Sequence, residues 1–352
     1  MEVDKKFHVG GETKFNFKKE VYYKMRKGKF SKRELPMGNR KKIFLLALPF
    51  SITVVLLILG LLNRIAIANV QLGDYTGSMA FNGLNRTYLI HIPPSYDKTK
   101  SMPLVIALHG GGVSAEQMVE HTRGGFNTLS DREGFIVVYP YGINKKWNDG
   151  RKRNNIDDVG FISALIDQFA EEFNIDTNRV CVTGISNGAM MSYRLAIELS
   201  EKIAAIAAVA GNIPVNLSGV PKRPISILIM NGTEDPLMPW EGGYVHFKEL
   251  KLGEVLSTAE TVEYWVNHNK CSPAPIISYE IDKDPQDGTR VRREAYGNCE
   301  EETEVTLYAI EGGGHIWPGG YQYSPERRVG KTSKDIDANE VIWNFFKRHV
   351  RK

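Results

Sequence analysis

The sequence predicts an α/β fold, a mostly parallel central sheet flanked by helices and preceded by one transmembrane helix. Three observations carry this. Short apolar runs alternate with stretches of helical periodicity from residue 86 to residue 349. One apolar run passes into a small-residue helical start across Gly184-Ile185-Ser186-Asn187-Gly188. Residues 43–62 are twenty positions without a charge.

The elements follow in order. Residues 86–92 read as a strand that ends at Pro93-Pro94. Residues 103–109 and 135–140 are near-continuous apolar runs, as a parallel strand covered on both faces requires. Asp157-Asp158 caps a helix over 159–173 that carries Phe161, Leu165, Ile166 and Phe169 at helical spacing. Strands are expected at 179–183, 203–210 and 225–230, and a helix near 258–269. Further strands at 275–279 and 304–310 precede a closing helix over 336–349. Alternating strands and helices argue for a parallel sheet. Neither an internal repeat nor a low-complexity tract nor a linker interrupts 76–352.

With 42% hydrophobic and 24% charged residues, the composition is that of a globular protein. The net charge of +4 averages two unlike parts. Residues 1–42 hold 14 Lys/Arg against 5 Asp/Glu, a balance of +9, and the remainder holds 31 against 36, a balance of −5. Between them, residues 43–62 would reach about 30 Å as a helix, the thickness of a bilayer core. Arg40, Lys41 and Lys42 abut the amino end of this run, and only Arg64 follows closely. The positive-inside rule then places a basic tail, 1–42, in the cytoplasm and everything after the anchor outside it. Residues 63–75 read as a tether and 76–352 as the catalytic domain. Ala66-Ile67-Ala68 has the form of a cleavage site, but the apolar run exceeds the roughly 7–15 residues of a signal peptide. The expectation is an uncleaved anchor; secretion after cleavage is the alternative.

The tail interleaves Phe7, Phe15, Phe17, Tyr22, Tyr23 and Phe30 with its lysines. That composition suits anionic lipid or nucleic acid, yet a solvated topogenic tail is the commoner case, and no nucleic-acid partner is expected. Cys181 lies inside a strand and reads as a small buried hydrophobe. Cys271 and Cys299 lie outside the predicted helices, on the side of the membrane where disulfides persist, and are expected to pair. No CxxC or histidine-rich spacing points to a metal, and none is expected. Asn85-Arg86-Thr87 and Asn216-Leu217-Ser218 fit a glycosylation pattern.

Serine at a strand-to-helix junction, with glycine two residues to either side, is the nucleophile elbow of the α/β-hydrolase fold. Such a turn strains the serine backbone, and a Cβ at Gly184 or Gly188 would crowd the neighbouring strand or helix. A serine hydroxyl needs a base to take its proton and an acid to orient that base. The acid is expected past a later strand end, where Thr233-Glu234-Asp235-Pro236 offers two carboxylates. Asp235 is preferred because Pro236 fixes the following turn; Glu234 is the alternative. The base is expected on a late glycine-rich loop, which makes it His315, since His268 and His349 fall on predicted helices and read as surface residues. Two backbone N–H groups should hold the oxyanion. One is Asn187; the other is Gly111 in His109-Gly110-Gly111-Gly112, with Gly110 and Gly112 as alternatives.

At this level the chain resembles the poly(3-hydroxybutyrate) depolymerase and feruloyl esterase family, the carbohydrate esterase family 1-like branch of the α/β-hydrolases. The blocks Asp157-Asp158-Val159-Gly160-Phe161-Ile162, Gly184 to Met191, Asn231 to Pro236, Gly313 to Gly320 and Asp335 to Trp343 carry the likeness, which spans about 76–350. The resemblance implies a triad of Ser186, Asp235 and His315, an oxyanion donor at Gly111 where many members have cysteine, and a disulfide similar to Cys271–Cys299. It implies a substrate-contacting aromatic at Trp317, for which core packing is the competing role. Trp240, Glu241 and Trp147 are further candidates for the cleft wall. The basic tail and long anchor depart from the family's cleaved signal.

The expected function is that of an extracytoplasmic serine esterase acting through an acyl-enzyme, with no cofactor. Its ester partner would be a polyhydroxyalkanoate-type polyester or a feruloyl or acetyl polysaccharide. The alternatives are a serine peptidase or thioesterase on the same fold, or a catalytically silent surface binding module.

Overall fold

The computed structural model describes residues 70–151, 155–247 and 250–352. The expectations for the tail (1–42), the apolar run (43–62) and tether residues 63–69 lie outside the described residues. Among the described residues, no helix is long and apolar enough to cross a membrane.

Twelve strands and seven α-helices make up the described unit. In chain order they are β1 (Gly73–Phe81), β2 (Leu84–Ile92), β3 (Met102–Leu108), α1 (Ala115–His121), α2 (Gly125–Glu133), β4 (Ile136–Pro140), α3 (Asp158–Phe173), β5 (Ile175–Ile185), α4 (Asn187–Glu198) and β6 (Ala205–Val209). The second half holds β7 (Ser226–Gly232), β8 (Gly243–Phe247), β9 (Leu250–Val255), α5 (Thr258–His268), β10 (Ile276–Tyr279), β11 (Arg290–Tyr296), β12 (Val305–Glu311), α6 (Glu326–Val329) and α7 (Ala338–Phe346). Ten strands form one sheet in the order β1-β2-β4-β3-β5-β6-β7-β12-β11-β10.

The six central strands, β4 to β12 in that order, are all parallel. Their apolar runs are buried end to end, and every residue of β3, β4, β6 and β7 is buried. Helices on both faces remove these side chains from water. The outer strands are antiparallel, β1 and β2 at one margin and β11 and β10 at the other. This is the α/β-hydrolase architecture.

Four strands escape the apolar-run reading, each for a physical reason. β1 begins at Gly73, three residues before the expected domain start, and alternates half-buried with exposed side chains along its length. Its polar and glycine residues hide that alternation in the sequence. β11 (Arg290-Val291-Arg292-Arg293-Glu294-Ala295-Tyr296) is charged because it lies near the sheet margin, where Arg292 pairs with Glu311 at 3.0 Å. The β8–β9 hairpin forms a separate two-stranded sheet. Its Val245 and Val255 pack with Met190 of α4 and Met238.

Helix caps conform to the sequence. Asp157 accepts Gly160 N–H at 2.8 Å, and Ser257 forms a capping box with Glu260 at the start of α5. Cys271 and Cys299 form a disulfide, and Cys181 is buried and free. His349 is a correction to the surface reading. It lies beyond the end of α7, only 8% exposed, with its ring 4.3 Å from that of Phe345.

Candidate active site

β5 ends at Ile185 and α4 begins at Asn187, so Ser186 alone makes the turn. Its backbone sits at φ 58°, ψ −117°, a conformation that costs a non-glycine residue on the order of 1–3 kcal/mol. Ser186 N–H donates to Val209 O of β6 at 2.9 Å, which holds the turn in place. The flanking glycines are required by contact. A Cβ at Gly184 would lie 2.6 Å from Gly188 C, and one at Gly188 only 2.3 Å from Leu108 O.

The loop after β7 carries Asp235, and the loop after β12 carries His315. The two loops touch, because Gly232 lies so close to Gly313 that a Cβ there would be 2.3 Å from Gly313 O. His315 Nδ1 and Asp235 Oδ2 are 2.6 Å apart, with side chains 5% and 2% exposed. With the carboxylate accepting, Nδ1 carries the proton and Nε2 is left as a base. Asp235 Oδ1 accepts Leu237 N–H and Met238 N–H, both at 2.8 Å, so the carboxylate cannot swing. Glu234 is exposed and contributes its backbone N–H to Gly313 O at 2.9 Å. Among the described residues, no hydrogen bond joins Ser186 Oγ to the imidazole; such contacts commonly tighten only with substrate bound. Ser186, Asp235 and His315 all follow the carboxyl ends of parallel strands, the edge at which open α/β sheets bind ligands.

Gly111 lies against the start of α4, where a Cβ would be 3.5 Å from Asn187 Cβ. Gly112 N–H is already committed to Lys145 O at 2.8 Å, and Gly110 is buried, whereas Gly111 is exposed. Three further residues hold this loop and its neighbours, the Asn187 turn and the His315 loop. His109 Nδ1 donates to Gly110 O at 2.7 Å, and its Nε2 accepts Gly142 N–H at 2.9 Å. Burial holds the His109 pKa below the ordinary imidazole value, which keeps the ring neutral for both roles. Asp149 accepts the Asn187 Nδ2 donor at 2.6 Å, and Tyr323 donates its hydroxyl to His315 O at 2.8 Å. Only His109, beside its glycines, carried a signal in the sequence.

Two of the expected cleft aromatics are in the interior. Trp147 is 4% exposed and donates its indole N–H to His109 O at 3.0 Å, so it braces the His109–Gly112 loop from behind. Trp317 is 1% exposed and meets Phe126 edge-on at 5.9 Å within the main core. Trp240 is half-buried and Glu241 exposed, on the turn that leads from Asp235 into β8. Among the described residues, no group of three or more His, Cys, Asp or Glu is placed to hold a metal.

Comparison with known proteins places the chain among esterases. The family model described as esterase PHB depolymerase matches residues 86–220. NocK of Nocardia uniformis subsp. tsuyamanensis, which carries an esterase name, is 31% identical over 277 residues, covering 75% of this chain and 79% of its own. A protein of Aspergillus niger named as a feruloyl esterase C is 29% identical over 74% of this chain and 83% of its own. The acetyl xylan esterase from Aspergillus awamori superposes with a TM-score of 0.50 at 17% identity, over 78% of this chain and 99% of that one. A thermostable esterase superposes with a TM-score of 0.51 at 16% identity, over 79% of this chain and 63% of its own. At those identities the superpositions speak for the fold alone. The class is therefore that of the carboxylic ester hydrolases. Within it, the chain belongs to the esterase family of the poly(3-hydroxybutyrate) depolymerases and feruloyl esterases.

Proposed function

We propose that the chain is a membrane-anchored, extracytoplasmic serine esterase with Ser186, His315 and Asp235 as its triad. The carrying observation is the 2.6 Å His315–Asp235 contact, on the sheet edge that also presents the strained Ser186 elbow. His315 Nε2 takes the Ser186 proton as Oγ attacks the ester carbonyl, and Asp235 holds the ring and stabilises the imidazolium. The N–H groups of Gly111 and Asn187 receive the oxyanion. The imidazolium returns its proton to the leaving alcohol, and water then hydrolyses the acyl-enzyme. Relatives named as feruloyl and acetylxylan esterases support an acylated polysaccharide as substrate, and the depolymerase family supports a polyester.

The full chain, assayed in detergent on p-nitrophenyl acetate beside Ser186→Ala, tests the reaction. Turnover that disappears with the serine supports it; turnover that survives refutes Ser186. Absence of turnover in the wild type favours the silent binding module. A panel of methyl ferulate, acetylated xylan and poly(3-hydroxybutyrate) selects the ester. The proposed order is tail (1–42), anchor (43–62), then the hydrolase outside, a placement supported by the basic residues before the anchor and by the Cys271–Cys299 disulfide. Tags at both ends test it. An amino-terminal tag absent from the mature band would replace the anchor with a cleaved signal.

A further inference from the structure

One side chain beside the candidate triad is unaccounted for by the reaction. Tyr323 lies on the segment that follows the His315 loop. Its hydroxyl donates to His315 O at 2.8 Å, and its ring stacks on that of His121, with centroids 4.5 Å apart and planes 20° from parallel. His121 is the last residue of α1, the helix that begins just after the oxyanion glycines. The same junction is tied through the backbone, where Tyr321 N–H donates to His121 O at 3.0 Å. The His315 loop is held on its other flank, by His315 N–H donating to Val329 O at 2.5 Å and Gly314 N–H to Lys331 O at 2.9 Å.

Both stacked groups are neutral. Burial first, and the nearby Asp235 charge second, raise the Tyr323 phenol, so it remains a donor. Burial lowers the His121 pKa, and among the described residues its Nδ1 has no hydrogen-bond partner. A side chain in contact with the helix behind one half of the site, and hydrogen-bonded to the main chain of the other half, sets the distance between them.

We infer that Tyr323 is a positioning residue of the esterase site. Its hydroxyl fixes the main chain of His315, and its stack on His121 ties that histidine to the helix behind the oxyanion loop. The inference rests on the triad reading of Ser186, His315 and Asp235. The role assigned to Tyr323 is indirect, through the placement of the imidazole, where a displacement near 1 Å costs up to about 100-fold in rate.

The test uses the full chain in detergent with p-nitrophenyl acetate. Tyr323→Phe retains the ring and removes the donor. The expected result is a kcat lowered about tenfold or more with KM within about twofold, together with a shift of the low-field proton resonance of the His315–Asp235 hydrogen bond. His121→Phe retains a stacking ring and should keep most of the activity. His121→Ala should lower kcat, and combining it with Tyr323→Phe should cost less than the product of the two single losses. Wild-type kcat and an unmoved resonance in Tyr323→Phe would overturn the inference. So would a kcat loss that comes with a lowered melting temperature and an unmoved resonance. If wild type is inactive, or Ser186→Ala is active, the triad reading itself fails, a result separate from the other two.

Discussion

Asn187 and Trp147 pair their amides. Trp147 N–H donates to Asn187 Oδ1 at 2.8 Å, and Asn187 Nδ2 donates back to Trp147 O at 3.1 Å. The residue whose backbone is proposed to hold the oxyanion thus uses its side chain to fix the loop that buttresses His109. Asn187→Ala leaves a buried donor and acceptor of Trp147 and the Asp149 carboxylate short of a partner. The expected cost is about 1–3 kcal/mol of stability. kcat should fall more than KM rises, because the backbone donor is displaced rather than removed. Urea unfolding and p-nitrophenyl ester kinetics on the same preparation check both.

Arg86 and Asp158 form an ion pair at 2.7 Å with side chains 1% and 0% exposed. The guanidinium also lies 3.8 Å above the Phe161 ring, and Asp158 Oδ2 accepts Asn148 N–H at 2.7 Å. Arg86→Ala strands a buried carboxylate and should destabilise by about 3–5 kcal/mol. Adding Asp158→Ala to it should recover part of that loss. A double variant no more stable than the single one would show that the charge is not the source of the penalty.

The disulfide closes a loop of 28 residues between Cys271 and Cys299. In the chain-entropy view it contributes about 3.6 kcal/mol. Cys271→Ser/Cys299→Ser should lower the urea midpoint accordingly, and dithiothreitol should have the same effect on the wild type and none on the variant. Esterase kinetics at 25 °C should not change, since both cysteines lie away from the candidate site.

Acid should weaken the fold earlier than carboxylates alone would. Burial lowers the pKa of His109, His121 and His349 in the folded state. As pH falls below the unfolded value of about 6.5, the unfolded chain takes up protons that these sites refuse, and stability declines. The carboxylates held low, such as Glu116 and Glu260, add their loss only below about 4.5. Urea midpoints measured at pH 8, 6 and 5 should therefore drop already between the first and the last. A flat response above pH 5 would mean that the buried histidines are protonated in the fold.

The candidate elbow, acid and base were legible because each is announced locally. Small residues crowd around Ser186, Pro236 follows Asp235, and glycines precede His315. The central strands were legible because burial on both faces demands uninterrupted apolar side chains. β1 and β11 were not, since a marginal strand satisfies its backbone through a neighbour while its side chains remain polar. Trp147 and Trp317 show the same limit from the other side. An aromatic near a functional motif reads alike whether it faces a ligand or fills the core, and only the burial of each, 4% and 1%, tells them apart.

By itself the sequence determined the order of the candidate serine, acid and base, with Asp235 preferred to Glu234, the parallel core, the pairing of Cys271 with Cys299, and the family. These follow from local backbone chemistry and from hydrophobic pattern, which are properties of neighbours in the chain. Tertiary structure alone decided that Gly112 N–H is already committed to Lys145 O and that His109 and Asp149 hold the loops around Gly111 and Asn187. Those contacts join loops more than 30 residues apart in the chain, Gly112 with Lys145, His109 with Gly142 and Asp149 with Asn187. Their geometry is set by how the strands of one sheet stack side by side, and no local pattern encodes it.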